Sequence, residues 1–198
     1  MPFRLATLVL AGGQSARYGG NKLLSPHPEG QTLLGSVVAA CAPLSALPVT
    51  VVTGAWHTDI AQAFADSGIN LVENSNWAQG MGSSLALGVT TCITQYQPSH
   101  LLVVLGDLAA ISQQSLRRLT EAARRSPQSL VVSEWEGRQG VPAIFPQCWF
   151  TTLTQLTGDE GARSAIRQSI TVTPESVAAV AHPEAARDID KPADWRQL

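Results

Sequence analysis

The sequence predicts an α/β fold with a mostly parallel central sheet flanked by helices, three layers in all. Two observations support this prediction. Short runs of leucine or β-branched residues recur along the chain, which is typical of strands buried on both faces of a parallel sheet. Segments with a helical spacing of apolar residues separate these runs, and strands that alternate with helices form parallel sheets through right-handed crossovers.

The predicted strands are segments with a nearly continuous apolar composition. They are residues 7–10, 49–53, 101–105 and 130–132. The segment 137–146 interrupts the alternation of strands and helices, because it contains two glycines and two prolines. We therefore expect it to begin a less regular part of the sheet.

Apolar residues three and four positions apart indicate the helices between these strands. This spacing predicts helices over 33–41, 60–64 and 85–93. Ser112 is a typical N-cap residue, and it predicts a helix through Leu119 that ends near Arg124. In the last eleven residues we expect a turn followed by a short helix, with Pro192 at an early helical position.

Composition limits the classes of function. The chain has 198 residues with no repeat or linker, so we expect a single domain over 1–198. A net charge of -2 excludes the broad positive surface of a nucleic-acid binder. No apolar run approaches the roughly 20 residues of a membrane span, and no signal peptide is apparent, so we expect a cytoplasmic protein. Cys41, Cys92 and Cys148 are too few and too widely spaced for a disulfide framework or a zinc site.

The loop after the first strand is the first candidate site, since ligands of open α/β sheets bind beyond the carboxyl ends of the strands. Residues 12–20 contain four glycines, and Arg17 and Lys22 lie within or just after them. Backbone N–H groups in such a loop can bind phosphates, and the two cations can neutralise them. The glycine spacing matches neither the dinucleotide-binding motif nor the Walker A motif.

An aspartate follows the strand 101–105. Asp107 is the second residue after this strand, where a carboxylate can hold Mg²⁺ between the protein and phosphate oxygens. The alternative is a carboxylate that only caps a turn. The sequence by itself leaves both roles open.

Together these residues resemble the nucleotidyltransferases that handle molybdenum cofactor. Residues 10–22 read L-A-G-G-x-S-x-R-x-G-x-x-K and are similar to the N-terminal motif of that superfamily. Four later segments are similar to its cytidylyltransferase branch, in the same order along the chain: 74–85, 137–142, 158–163 and 188–194. The matches span nearly the whole chain.

The resemblance implies a fold, a reaction and its partners. The implied fold is a Rossmann-like nucleotidyltransferase domain. The implied reaction transfers CMP from CTP to molybdopterin and releases pyrophosphate, with Mg²⁺ as cofactor. A molybdoenzyme that receives the product is the implied client, whereas nucleic acid and membrane are not expected partners.

The resemblance also implies roles for individual residues. Lys22 would bind the α-phosphate, Arg17 the β- and γ-phosphates, and Asp107 together with Asp190 the metal. The implied nucleotide-binding residues are Ala11, Gly12, Gly13, Ser15, Asn74, Ser83 and Ser84. The implied acceptor-binding residues are Gly140, Pro142, Asp159 and Arg163.

Three positions depart from the family pattern. Ala109 stands where the metal loop usually has proline, and Val141 stands where the cytidylyltransferases have histidine. Residues 11–13, Ala-Gly-Gly, are similar to the guanylyltransferase branch. GTP is therefore the alternative to CTP, and a sugar phosphate is the alternative acceptor. A cofactor-binding chaperone without turnover is the alternative outside the enzymes.

For several residues in or near these motifs, a structural role is the simpler interpretation. Asp159 and Glu160 are typical of the start of a helix. Asp188 is expected only to hold the turn that presents Asp190. For Trp77, packing is favoured over stacking on a bound base.

Overall fold

A computed structural model describes residues 2–159 and 161–197, with the side chains of residues 168 and 197 excepted. One sheet of seven strands has the order β3-β2-β1-β4-β6-β5-β7. Every neighbouring pair is parallel except those of β6, which is antiparallel to β4 and β5. The strands are β1 (Leu5–Ala11), β2 (Thr50–Thr53), β3 (Asn70–Glu73), β4 (His100–Leu105), β5 (Leu130–Trp135), β6 (Arg138–Pro146) and β7 (Val177–Ala181).

Helices cover both faces of the sheet. They are α1 (Leu33–Cys41), α2 (His57–Ala63), α3 (Met81–Tyr96), α4 (Gln113–Arg125), α5 (Phe150–Thr154) and α6 (Ala162–Val172). Helices α1, α2 and α4 share one hydrophobic cluster with the sheet, and α3, α5 and α6 share the other. The predicted three-layer α/β architecture with a mostly parallel sheet is confirmed. No helix in the described part of the chain combines the length and the apolar character needed to cross a membrane.

The two cores follow from the alternation of side chains along the strands. In β1, Val9 faces the core of α1 and α4, whereas Leu8 and Leu10 face the core of α3. Close packing of α3 on β1 depends on Gly88, because a Cβ there would overlap the side chains of Leu8 and Val52. All of β1 is buried, as the continuous apolar run predicts.

The predicted helix starts are confirmed where a capping residue is present. Ser112 precedes α4, and its side chain accepts a hydrogen bond from the backbone N–H of Ser115. At the C-terminus a 3-10 helix over Pro192–Gln197 follows the expected turn, with Pro192 as its first residue. Helices α2 and α3 contain most or all of the predicted segments 60–64 and 85–93, and both start several residues earlier.

The structure confirms one expectation about the sheet and differs from the sequence prediction in two places. The expected irregularity of 137–146 is confirmed within strand β6. Its register with β5 passes from Ala143 opposite Val132 to Gly140 opposite Ser133, so Val141 and Pro142 are extra residues on β6. The edge strands β3 and β7 were not predicted. β3 has only two apolar residues, between Asn70 and Glu73, and β7 is apolar, but three of its five residues are alanine, which is depleted in strands. Helix α6 is also not marked, since its buried face is made mainly of small residues.

Candidate active site

A cavity of about 520 Å³ opens at the carboxyl ends of β1 and β4. This position agrees with the expectation for an open α/β sheet. Its wall is formed by the loop after β1, the start of α3, Asp107 in the loop after β4, and the C-terminal segment. Its lining residues are Leu10, Ala11, Gly12, Gly13, Gln14, Ser15, Ala16, Arg17, Lys22, Leu23, Trp77, Ala78, Gly80, Met81, Ser84, Leu105, Asp107, Asp159 and Asp190.

A hydrogen bond from Trp56 fixes the loop after β1, and residues of this loop line the cavity. The indole N–H of Trp56 donates to the carbonyl of Gln14 at 3.0 Å. A Cβ at Gly12 would lie 2.9 Å from the Ser84 hydroxyl, so only glycine fits this close approach without a shift. A Cβ at Gly13 would meet nothing within 4 Å, so this part of the loop is open to a ligand. The loop can therefore bring backbone groups close to a bound molecule.

Lys22 is the buried cation of the site. A 3-10 turn over Lys22–Leu24 follows the glycine-rich loop, and the lysine side chain is only 11% exposed. Its Nζ donates to Asp107 Oδ2 at 2.7 Å and to the carbonyl of Ile189 at 2.7 Å. It also lies 3.5 Å from Asp190 Oδ1. The ammonium group therefore joins Asp107 in the loop after β4 to the C-terminal segment.

The C-terminal segment reaches the site by pairing with the loop after β4. Ile189 N donates to the carbonyl of Asp107 at 3.0 Å, and Leu108 and Asp188 form an isolated antiparallel bridge. The carboxylate of Asp194 accepts hydrogen bonds from the backbone of Asp190 at 2.8 Å and of Lys191 at 2.7 Å. These two hydrogen bonds lower the pKa of Asp194, so it stays ionised and fixes the turn that carries Asp190.

This pairing assembles three carboxylates. One oxygen each of Asp107, Asp188 and Asp190 lies within 4.8 Å of the others. Burial, and then the neighbouring charge of Asp107, raises the pKa of Asp188. The buried Oδ1 of Asp107 has no hydrogen-bond partner within the described residues. Carboxylate oxygens are the ligands that Mg²⁺ and Mn²⁺ prefer, so these residues fit a hard divalent cation.

Arg17 is the exposed cation of the site. Its side chain is 73% exposed, and Nη1 lies 2.6 Å from Asp190 Oδ2. The exposed guanidinium can leave this ion pair at little cost, because solvent-exposed ion pairs are worth about 0–1 kcal/mol. Both predicted phosphate-binding cations, Arg17 and Lys22, therefore form ion pairs with carboxylates of the predicted metal site.

The predicted nucleotide-binding residues fall into two groups. Ala11, Gly12, Gly13, Ser15 and Ser84 line the cavity, and Asn74 and Ser83 are outside its lining. The amide of Asn74 is buried and donates to the hydroxyls of Ser83 and Ser84, each at 2.9 Å. Asn74 therefore joins the end of β3 to α3 and places Ser84, while its amide hydrogens are engaged within the protein.

The predicted acceptor-binding residues do not lie together. Asp159 lines the cavity, whereas Arg163 lines a separate one beside α6. Gly140 and Pro142 belong to β6, where the carbonyl of Pro142 accepts a hydrogen bond from Ser133. They are in the lining of neither cavity.

The expectation that Asp159 and Glu160 cap a helix has a different outcome for each residue. The N-cap residue of α6 is Gly161, which has no side chain that could accept a hydrogen bond. Asp159 is exposed and faces the cavity instead of capping α6. Glu160 lies outside the described residues.

Sequence reasoning missed one member of the carboxylate group. Asp188 was expected only to hold a turn, yet its carboxylate lies with those of Asp107 and Asp190. The signal was present, because residues two apart in an extended segment point to the same side. Gln14 and Met81 also line the cavity. Both lie within the motif segments 10–22 and 74–85, but neither was predicted as a site residue.

Comparison with known proteins gives one family and several structural likenesses. A family model described as MobA-like NTP transferase domain matches residues 7–173. The nicotine blue oxidoreductase of Paenarthrobacter nicotinovorans is 28% identical over 168 residues, which cover 81% of this chain and 80% of that protein.

Two solved structures illustrate the likeness of the fold. A nucleotidyl transferase from Methanothermobacter has a TM-score of 0.78 at 21% identity, with 98% of this chain and 95% of that chain covered. Rv0371c of Mycobacterium tuberculosis H37Rv, solved as a complex with manganese, has a TM-score of 0.76 at 21% identity, with 98% and 97% covered. These likenesses confirm the Rossmann-like nucleotidyltransferase fold.

Proposed function

The chain belongs to the family of MobA-like NTP transferase domains, and from this membership we propose that it transfers CMP from CTP to molybdopterin and releases pyrophosphate. In this proposal residues 1–198 form a single domain that requires Mg²⁺. The observation that supports it most strongly is the contact of Lys22 with Asp107 at the edge of a glycine-rich loop. This contact puts a cation and a candidate metal ligand at one end of the cavity.

The reaction proposed here is an in-line displacement at the α-phosphorus. A phosphate oxygen of the acceptor forms the new bond, the bond to the β-phosphate breaks, and pyrophosphate leaves with the electron pair. A phosphomonoester is largely ionised near neutral pH, so this nucleophile needs no general base from the protein. Positioning and neutralisation of charge then account for the rate.

The residues of the loop and its two cations meet this requirement. Backbone groups near Gly13 would bind phosphate oxygens, and Arg17 would leave Asp190 for the β- and γ-phosphates. Lys22 would stabilise the negative charge that develops at the α-phosphate. A divalent cation, when bound by Asp107, Asp188 and Asp190, would neutralise phosphate charge.

The resting ion pairs support joint binding of nucleotide and metal. Lys22 and Arg17 both contact carboxylates of the proposed metal site. A triphosphate offers these cations new anionic partners, and a metal ion offers the carboxylates a new cation. Each ligand therefore removes an electrostatic obstacle to the binding of the other.

The choice of CTP rests on the resemblance of residues 74–85 to the cytidylyltransferase branch. GTP is the second candidate, because the glycine at position 12 is typical of the guanylyltransferase branch. Trp77 and Met81 line the cavity and provide an apolar surface for either base.

The proposed acceptor side is less defined than the nucleotide side. Asp159 is the one predicted acceptor residue in the lining of this cavity. We expect molybdopterin as acceptor, a molybdoenzyme as client and the cytoplasm as location, where free thiols such as those of the three cysteines persist. The contact of Lys22 with Asp107 favours turnover over a chaperone role, since a pure binder has no need of it.

Pyrophosphate release tests the proposal. The purified chain is assayed with each NTP, with Mg²⁺ or Mn²⁺, and with molybdopterin or a sugar phosphate as acceptor. We expect the highest kcat/KM with CTP and molybdopterin. A preference for GTP or for a sugar phosphate would replace that part of the proposal, and molybdopterin binding without turnover of any NTP would overturn it.

A pair of variants tests the residue roles. Asp107→Asn removes a charge from the carboxylate group, and we expect turnover to fall at least 10²-fold. Asp66→Asn, at an exposed position after α2, is the matched control and should keep full turnover. Full turnover in Asp107→Asn would contradict the proposed metal site.

A further inference from the structure

A second cavity lies beside the hairpin of β5 and β6 and the helix α6. Its volume is about 490 Å³, and its lining residues are Gly137, Arg138, Gln139, Arg163, Arg167 and Ile170. Half of these residues are arginines and none is acidic. None of them lines the proposed active site, so the two cavities are separate.

The arginines of this cavity come from two elements that meet there. Arg163 and Arg167 lie four residues apart and therefore on one face of α6, and Arg138 is the first residue of β6. Like charges at this helical spacing repel each other. Arg163 also lies in the first turn of α6, where the helix dipole disfavours a cation and no acidic residue is present. All three arginines are exposed, so water screens this repulsion and keeps it small, and a bound anion would remove it.

Three arginines elsewhere in the protein have structural partners. Arg17 pairs with Asp190, Arg118 pairs with Glu184, and Arg124 lies over the ring of Phe3. Within residues 2–159 and 161–197, no carboxylate pairs with the guanidinium groups of the second cavity. These three groups are therefore available to bind a ligand.

Gln139 adds a polar group that a particular class of ligand can satisfy. Its Oε1 atom is buried and has no hydrogen-bond partner among the described residues. A ligand that accepts hydrogen bonds from guanidinium groups and also donates one could satisfy this oxygen. A singly protonated phosphate group has both properties.

We propose that this second cavity binds a phosphate group through Arg138, Arg163 and Arg167. Guanidinium groups suit this ligand, because their planar N–H forks match the spacing of phosphate oxygens. The group belongs either to free inorganic phosphate or to a phosphomonoester on a larger substrate. The start of helix α6 lies near the active site, which makes the second source geometrically accessible. Asp159, just before α6, and Met81, the first residue of α3, both belong to the active-site wall, and Gly161, the N-cap of α6, packs against Met81.

The binding test uses inorganic phosphate as the probe and the full chain as the protein. The Nε–Hε signals of the three arginines are followed by NMR during a titration at constant ionic strength. We expect saturable shifts, and at least tenfold weaker binding in the double variant Arg163→Gln/Arg167→Gln, followed on the remaining Arg138 signal. The control variant Arg117→Gln/Arg125→Gln removes the same charge from exposed positions on α4 and should bind phosphate within twofold of the native protein.

The same titration contains the results that would overturn the proposal. Equal shifts with chloride would mean that the arginines respond to any anion and not to phosphate in particular. Equal weakening in both double variants would mean that net charge, and not this cavity, attracts phosphate. Thermal unfolding of each variant checks that both remain folded, and none of these measurements requires turnover, so failure here is distinct from failure of the proposed function.

Two further arms separate the sources of the phosphate group. If it belongs to a substrate, Arg163→Gln/Arg167→Gln raises the KM of an acceptor with a second phosphate at least tenfold more than the KM of an acceptor with one phosphate, and an equal change in both would exclude this source. If it is free phosphate, added inorganic phosphate changes turnover of the native chain and not of the double variant.

Discussion

Replacing Lys22 with methionine tests the electrostatics of the active site most directly. Methionine keeps most of the length of the side chain and removes its charge. In the structure the lysine Nζ lies 2.7 Å from Asp107 Oδ2 and 3.5 Å from Asp190 Oδ1. It therefore occupies the carboxylate group that we propose as the metal site. Without it, we expect a divalent cation to bind more tightly and nucleotidyl transfer to become slower.

The size of the first effect follows from Coulomb's law. Two unit charges 3.5 Å apart interact by about 5 kcal/mol at an effective dielectric constant of 20 and by about 1 kcal/mol in water. Because the side chain of Asp190 is 42% exposed, we take a value near the lower end, about 1–2 kcal/mol. This corresponds to a gain of roughly tenfold in metal affinity, since 1.4 kcal/mol is a factor of ten. The loss of a group that stabilises the transition state corresponds to about 10²–10³ in kcat.

The assay measures Mn²⁺ binding without nucleotide, by electron paramagnetic resonance, and pyrophosphate release in parallel. Lys191→Met is the matched control, because Lys191 is exposed and its backbone lies in the same C-terminal turn. We expect the control to retain native kcat and to bind Mn²⁺ nearly as the native chain does. Unchanged or weaker Mn²⁺ binding in Lys22→Met would refute the idea that Lys22 competes with metal for these carboxylates.

Two other predictions concern stability. Tyr18→Phe and Trp195→Phe each remove the same hydrogen bond, from Trp195 Nε1 to Tyr18 Oη at 3.1 Å, so each should lower the free energy of unfolding by about 0.5–1.5 kcal/mol. In urea unfolding, the double variant should lose clearly less free energy of unfolding than the two single variants lose together. Equal losses would contradict coupling between Tyr18 and Trp195. Burial lowers the pKa of His182 from 6.5 to about 4, against the opposing charge of Glu184 and with the help of Arg118. As the pH falls, His182 is protonated in the unfolded chain near pH 6.5 but in the folded protein only near pH 4, so the free energy of unfolding should fall by about 2 kcal/mol between pH 7 and pH 5. His182→Gln should remove that loss. An equal loss in the variant would exclude His182 as its cause.

The sequence by itself determined the architecture and the choice of Arg17 and Lys22 as candidate site residues. Continuous apolar runs predicted β1, β2, β4 and β5, because a strand buried on both faces needs apolar residues at every position. Arg17 and Lys22 could be selected because they follow β1 directly along the chain. Such features are local, so neighbouring residues in the sequence reveal them.

Only the tertiary structure decided how distant segments meet. Pairing of Leu108 with Asp188 brings the C-terminal segment to β4 and adds Asp188 to the carboxylate group. Packing between β3 and α3 uses the amide of Asn74 inside the protein, and the course of α6 carries Arg163 into a separate cavity. A motif specifies which residues are present, whereas hydrogen bonding and burial between remote segments determine which of them face the same space.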